Sequence, residues 1–137
     1  GRYALQCGRK VDSLPLWLQW KIQGAQAYQN KIDSFFELSD WFSSKLKENS
    51  QIEFLHTPEF LNHCFQLIPK DKNTDMSDFN YKARKLVMER GNFMVNFSST
   101  DEHGYFFRIV FNHWGLDQSV LEKLMEELLE VKNILDN

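Results

Sequence analysis

Arg108 has the most chemical leverage in this 137-residue chain, because it sits inside Tyr105-Phe106-Phe107-Arg108-Ile109-Val110-Phe111. Such a run reads as a strand, with Tyr105, Phe107, Ile109 and Phe111 on one side and Phe106, Arg108 and Val110 on the other. Both sides are apolar, so the strand is expected to be covered on both. A guanidinium there keeps its charge and needs a partner, since an unpaired buried charge costs several kcal/mol. Two partners stay open. One is an Asp or Glu of a neighbouring helix, a structural ion pair that the residues taken alone favour. The other is a ligand carboxylate gripped by the planar fork.

Other residue types carry less. His56, His63, His103 and His113 invite a metal, but no pair has the i, i+4 spacing or a short clamp that metal ligation needs. His63 and Cys64 are adjacent on a strand and point to opposite faces. The histidines are therefore read as scattered surface residues and no metal is expected. Glu126-Glu127-Glu130 reads as a solvated helical face. There is no Gly-rich phosphate loop and no Gly-x-Ser-x-Gly elbow. Cys7 and Cys64 allow one disulfide at most and are read as reduced thiols of a cytoplasmic protein.

The elements that must position Arg108 follow from periodicity. Ser13 to about Gln23 reads as a helix, with Ser13 as N-cap and Pro15 in its first turn. Leu14, Trp17, Leu18 and Trp20 make it apolar over most of its circumference, so it is expected to be buried on several sides. Gly24 interrupts it. Ala25 to Lys47 is a second helix, with Ile32, Phe35, Phe36, Ser39, Phe42 and Leu46 as its stripe. Strands follow at Gln51–His56 and Phe60–Ile68, then a helix at Ser77–Arg90 with Gly91 as its left-handed cap. Asn92–Phe97 and Tyr105–Asn112 pair around the turn Ser98–Gly104. The last helix has Asp117 as N-cap and Leu121, Leu124, Leu128 and Val131 as its stripe. The order is α-α-β-β-α-β-β-α, an α+β layer with helices on an antiparallel sheet.

A net charge of −3 gives no basic footprint for nucleic acid, and the apolar runs are too short to span a membrane. The start at Gly1, with neither Met nor an apolar signal core, leads to the expectation of a cut fragment or processed product.

The run Gln6-Cys7-Gly8-Arg9-Lys10-Val11-Asp12, with Trp17-Leu18 behind it, resembles the Gln-Cys-Gly-Arg-x-Val-Asp signature of group II pyridoxal-phosphate-dependent amino-acid decarboxylases, in their glutamate, cysteine-sulfinate and aspartate branch. Phe106-Phe107-Arg108 is similar to the family's Phe-Phe-Arg, Met94-Val95 to its Met-Val, and Asn62-His63-Cys64-Phe65 with Pro69 to its Asn-Val-Cys-Phe strand. The blocks keep the family's order over essentially the whole chain. Gln66, Pro15 and His113 depart from the pattern, which bears on the substrate more than on the family.

The resemblance implies the aspartate-aminotransferase-like, fold type I architecture. Residues 1–24 would close the large cofactor domain, and 25–137 would form the small C-terminal domain. It implies a homodimer that binds pyridoxal 5'-phosphate and decarboxylates an acidic amino acid such as glutamate, cysteine sulfinate or aspartate. It gives Arg108 the substrate's α-carboxylate. It sets Cys7 and Gly8 near the active site at the dimer interface, where a tight turn entering the first helix is an equal reading. The family's Schiff-base lysine lies upstream, and Lys10, Lys21 and Lys70 match no such motif, so the 137 residues alone are expected to be inactive. A stand-alone, non-catalytic α+β binding or regulatory module is the competing reading.

Overall fold

The computed structural model describes residues 11–113 and 115–137. Helical backbone runs over Ser13–Glu48 (α1), broken at Gly24, whose φ of 72° and ψ of 173° lie outside the helical region. A side chain is disfavoured at that φ, so glycine is what permits the break. The chain divides into two compact units, Gly1–Ser34 and Phe35–Asn137, with the division inside α1.

In the first unit Trp20 stacks on Tyr28 at 5.1 Å between ring centroids, and the Lys21 ammonium lies 6.0 Å from the Trp17 ring. Leu14, Leu16, Trp17, Leu18 and Trp20 are all exposed, Trp17 by 55%. The expected burial of this helix is thus not supplied among the described residues.

The second unit adds β1 (Ile52–Phe54), β2 (Asn62–Leu67), α2 (Met76–Arg90), β3 (Asn96–Thr100), β4 (Gly104–Val110) and α3 (Gln118–Leu135). The four strands form one antiparallel sheet in the order β1-β2-β4-β3. Ile52, Phe65, Leu67, Phe107 and Ile109 project from one face into a single core with Phe42 and Leu46 of α1, Phe79, Ala83 and Val87 of α2, and Leu121, Leu124, Leu128 and Val131 of α3. Burying so many large apolar side chains, at about 1.5–3 kcal/mol each, is what holds the layers together.

At Gly91 and Asp117 local chemistry ends and begins the helices where the sequence reading puts them, whereas Ser13, read as an N-cap, is the first helical residue of α1, and α2 begins at Met76. Asp75 caps α2 by accepting from the Asp78 amide at 2.6 Å, and Gly91 ends it in the left-handed region. Asp117 caps α3 through the Val120 amide at 3.0 Å. Asn80 pins α2 to the end of β2, its Oδ1 accepting from the Leu67 amide at 2.8 Å.

The hairpin differs from expectation. Its first strand is Asn96–Thr100, not Asn92–Phe97, and only Asp101, Glu102 and His103 turn. Ser98 pairs with Phe106 and Thr100 with Gly104. Cross-strand pairing against an aromatic strand outweighs the low strand propensity of the serines, and Gly104, at a φ of 65°, closes the tight turn. Gln66 on β2 fastens it, donating from Nε2 to the carbonyls of His103 at 2.9 Å and Tyr105 at 2.8 Å.

Candidate anion-binding site

Alternation along β4 sends Phe107 and Ile109 into the core and leaves Arg108 and Val110 exposed. The strand was expected to be covered on both sides. Among the described residues the core cluster takes its β2 and β4 members from one face, the one carrying Phe65 and Phe107; on the other, Cys64, Gln66 and Phe106 are buried outside that cluster while Arg108 and Val110 are exposed. The other face presents Asn62, Cys64 and Gln66 from β2, Asn96 and Ser98 from β3, and Phe106, Arg108 and Val110 from β4.

Arg108 stands in the middle of this open face, opposite Cys64 on one side and Asn96 on the other. The Phe111 amide donates to the Leu61 carbonyl at 3.0 Å, so odd positions of β4 aim their peptide groups at β2 and even ones at β3. Arg108–Asn96 is therefore a hydrogen-bonded pair, and Arg108–Cys64 is the closer, non-hydrogen-bonded kind. No carboxylate among the described residues lies within ion-pair distance of Arg108, so the helix-borne partner allowed by the sequence is not found there. Among the described residues none of its five donors has a hydrogen-bond acceptor.

Next to Arg108 the sheet opens. Pairing of β3 with β4 stops at Asn96, and the preceding residues diverge. The gap is a cavity of about 200 Å³ with Asn96, Arg108 and His113 on its wall beside Phe93, Leu116 and Val120. His113 Nδ1 accepts from the Gly115 amide at 3.1 Å, which leaves the ring proton of the neutral imidazole on Nε2. Burial raises the Cys64 thiol above its ordinary pKa, and the Arg108 charge pulls the other way. Cys64 is thus a protonated, buried neighbour of the arginine.

The remaining histidines separate. His56 Nδ1 bonds the Thr57 carbonyl at 2.9 Å, and His103 lies 3.8 Å from Glu102. His63, expected at the surface, is fully buried. It falls on the core face of β2, where its Nε2 meets Ser43 Oγ at 2.7 Å and Ser39 Oγ at 3.4 Å, among the rings of Phe42, Phe54 and Phe111. Burial lowers its pKa from 6.5 to about 4, while the Ser39 backbone hydrogen bond and Asp40 act weakly in the other direction. The signal was present: Ser39 and Ser43 interrupt an apolar helical stripe at i, i+4. Among the described residues no cluster of three His, Cys, Asp or Glu could hold a metal.

Glu127, expected on a solvated face, is also buried. It pairs with Arg90 Nε at 2.6 Å and accepts from Asn92 Nδ2 at 3.0 Å, tying the end of α2 to α3. Cys7 and Gly8 lie outside the described residues. Lys132 is the one buried lysine among those described, and it is committed to Asp136 at 2.5 Å.

Comparison with known proteins gives this geometry a context. Residues 1–68 match the pyridoxal-dependent decarboxylase conserved domain. Cysteine sulfinic acid decarboxylase of Homo sapiens is 33% identical over 137 residues, an alignment covering 93% of this chain. The chain spans only 28% of that relative's length. The crystal structure of mouse CSAD in apo form superposes with a TM-score of 0.84 at 30% identity, over 94% of this chain and 29% of that one. Oryza sativa TDC, crystallised with PLP and tryptamine, shares the fold with a TM-score of 0.83 at 16% identity over 97% of this chain and 29% of that one. The helices and four-stranded antiparallel sheet match the C-terminal portion of these fold type I proteins.

Proposed function

The chain belongs to the pyridoxal-dependent decarboxylase family, and we propose that it serves as the C-terminal part of a carboxy-lyase acting on an acidic amino acid. Cysteine sulfinate is the first candidate substrate, with glutamate and aspartate behind it. The 33%-identical relative, a cysteine sulfinic acid decarboxylase, motivates that order. The observation that carries the reading is Arg108: an exposed guanidinium central on the sheet, without an ion-pair partner among the described residues, lining a small cavity.

Pyridoxal 5'-phosphate, when bound, accepts the electron pair left behind as carbon dioxide departs. This chain contributes at the other end of that bond. Arg108 holds the α-carboxylate through a bidentate, charge-assisted pair. Because the carboxylate loses its charge as it leaves, a tight grip serves to orient the substrate more than to stabilise the transition state. Cys64, protonated and uncharged, supports the arginine without competing for it.

In this reading residues 1–24 complete the cofactor domain and 25–137 form the small domain, with the break at Gly24 between them. Cys7 and Gly8 approach the active site at the interface of a homodimer, and the Schiff-base lysine belongs to a part of the protein upstream. The 137 residues alone decarboxylate nothing. The reading places the protein in the cytoplasm; no helix among the described residues is long and apolar enough to cross a membrane.

The test is carbon dioxide release by the holoenzyme that contains this chain, assayed with cysteine sulfinate, glutamate and aspartate, and repeated with Arg108→Ala. Turnover of one of the three acids that falls about 100-fold or more in the variant is the expected result, each factor of ten being roughly 1.4 kcal/mol. Near-normal turnover by Arg108→Ala removes the carboxylate role.

A further inference from the structure

We propose that Asn96 is a second anion-reading residue beside Arg108, so that the substrate carboxylate meets one charged and one neutral donor. The inference rests on the α-carboxylate reading of Arg108 and extends it to the neighbouring strand. Asn96 and Arg108 are direct partners across β3 and β4. Phe97 stacks its ring on the core-side Tyr105 and meets Phe107, so Asn96, one residue earlier, projects from the opposite, open face together with Arg108. Directly opposed residues hold their Cβ atoms about 4.5–5.5 Å apart, which lets an amide and a guanidinium reach the two oxygens of one carboxylate. Both residues line the cavity where the strands part.

Neither group is committed elsewhere among the described residues. The Asn96 amide has no hydrogen-bond partner there, and Arg108 has no ion pair. Strand propensity does not account for Asn96 either, since asparagine is disfavoured in strands and this one is exposed at a strand end on the sheet edge. The amide brings two capacities at once. Its NH₂ donates to a carboxylate oxygen, and its carbonyl can accept from a guanidinium N–H, steadying the fork. Because it is neutral, it adds a donor without lowering the positive charge that attracts the substrate. An aspartate of the same shape would pair with Arg108 itself and occupy it.

The experiment is steady-state kinetics of the holoenzyme with the acid it decarboxylates, comparing Asn96→Asp, Asn96→Ala and Asn96→Ser with Arg108→Ala. Cofactor absorbance and melting temperature are recorded for each. Asn96→Asp is expected to raise KM at least tenfold and Asn96→Ala about three- to tenfold. Asn96→Ser, which keeps a short donor, should fall between Asn96→Ala and the parent. In all three kcat changes less than KM, and bound cofactor is unchanged. A KM within twofold of the parent for Asn96→Ala overturns the inference. If Arg108→Ala still loses turnover in that case, the reading beneath it stands; if Arg108→Ala is also silent, both fall. Should Asn96→Asp lower the melting temperature, Asn96→Ala, which introduces no charge, decides the outcome.

Discussion

Adjacent residues of the same strands face two different chemical worlds. On the core face, His63, Phe65, Phe107 and Ile109 are buried among three helices, and the one titratable ring is answered at Nε2 by Ser43 and Ser39, its buried Nδ1 alone lacking a partner among the described residues. On the open face, one residue along, Cys64, Arg108 and Asn96 form a row whose guanidinium no described carboxylate answers. A sheet face that settles its own polar groups contributes stability. One that leaves a permanent charge open is arranged for something that arrives from outside. Mutations along β4 should therefore divide, Phe107 and Ile109 acting on the fold and Arg108 on the ligand, with Phe106, buried although at an even position, grouped with the first.

The largest expected effect is on the core side. Phe107 is fully buried, stacks on Phe65 at 5.7 Å and meets Phe97 edge-on at 5.5 Å. Phe107→Ala should destabilise the fold by about 3–5 kcal/mol, visible as a large drop in denaturation midpoint. Arg108→Ala is its counterpart. The side chain is exposed and has no ion pair among the described residues, so the melting temperature should move little while turnover of the holoenzyme falls by about 100-fold or more. A pair of variants with these effects exchanged would break the division.

How much of the contrast was legible in the sequence depends on whether the physics is local. Asp117, Gly91 and the β4 alternation act within a few residues, and the sequence reading placed them correctly. The cover over each face is not local: alternation tells which residues share a side, not whether anything lies on it. Arg108 therefore read as sandwiched. His63 and Glu127 were misjudged for the opposite reason, because type alone marks them as surface residues and only their partners, Ser43 and Arg90, make burial affordable. The β3 register depended on pairing with β4, which outweighs the weak preferences of Ser98 and Ser99. The family blocks reached further than periodicity because they carry positional information that composition lacks.

A smaller effect on the core side appears with pH. His63 has a folded pKa near 4 against an ordinary 6.5, so the unfolded chain binds its proton first as the pH falls. Its contribution to stability is complete above about pH 6.5 and declines down to about pH 4, with a slope of at most about 1.4 kcal/mol per pH unit. Asp40 is the charged group that bears on His63, and the residues packed about it, Phe42, Phe54 and Phe111, do not titrate. His63→Gln should flatten this part of the stability–pH profile in urea titrations at pH 7, 6, 5 and 4. The Arg108→Ala profile should stay parallel to the parent, since the guanidinium remains charged throughout.

The smallest effect distinguishes two serines. Ser43 Oγ lies 2.7 Å from His63 Nε2 and Ser39 Oγ 3.4 Å from it, so one contact is a full hydrogen bond and the other is at the limit. Neutral side-chain hydrogen bonds contribute about 0.5–1.5 kcal/mol, and losing a partner in a buried site costs about 1–3 kcal/mol. Ser43→Ala leaves the ring nitrogen with only the weaker contact, and should cost about 1–2 kcal/mol. Ser39→Ala removes the longer contact from a site that still holds Ser43, and should cost less than about 1 kcal/mol. Both are core-face changes, so neither should alter the KM of the holoenzyme at neutral pH once the protein is folded. Equal costs for the two would mean that Ser39 and Ser43 share the ring nitrogen evenly. A raised KM in Ser43→Ala would mean that the two faces of the sheet are coupled through β2, where His63 and Cys64 are neighbours.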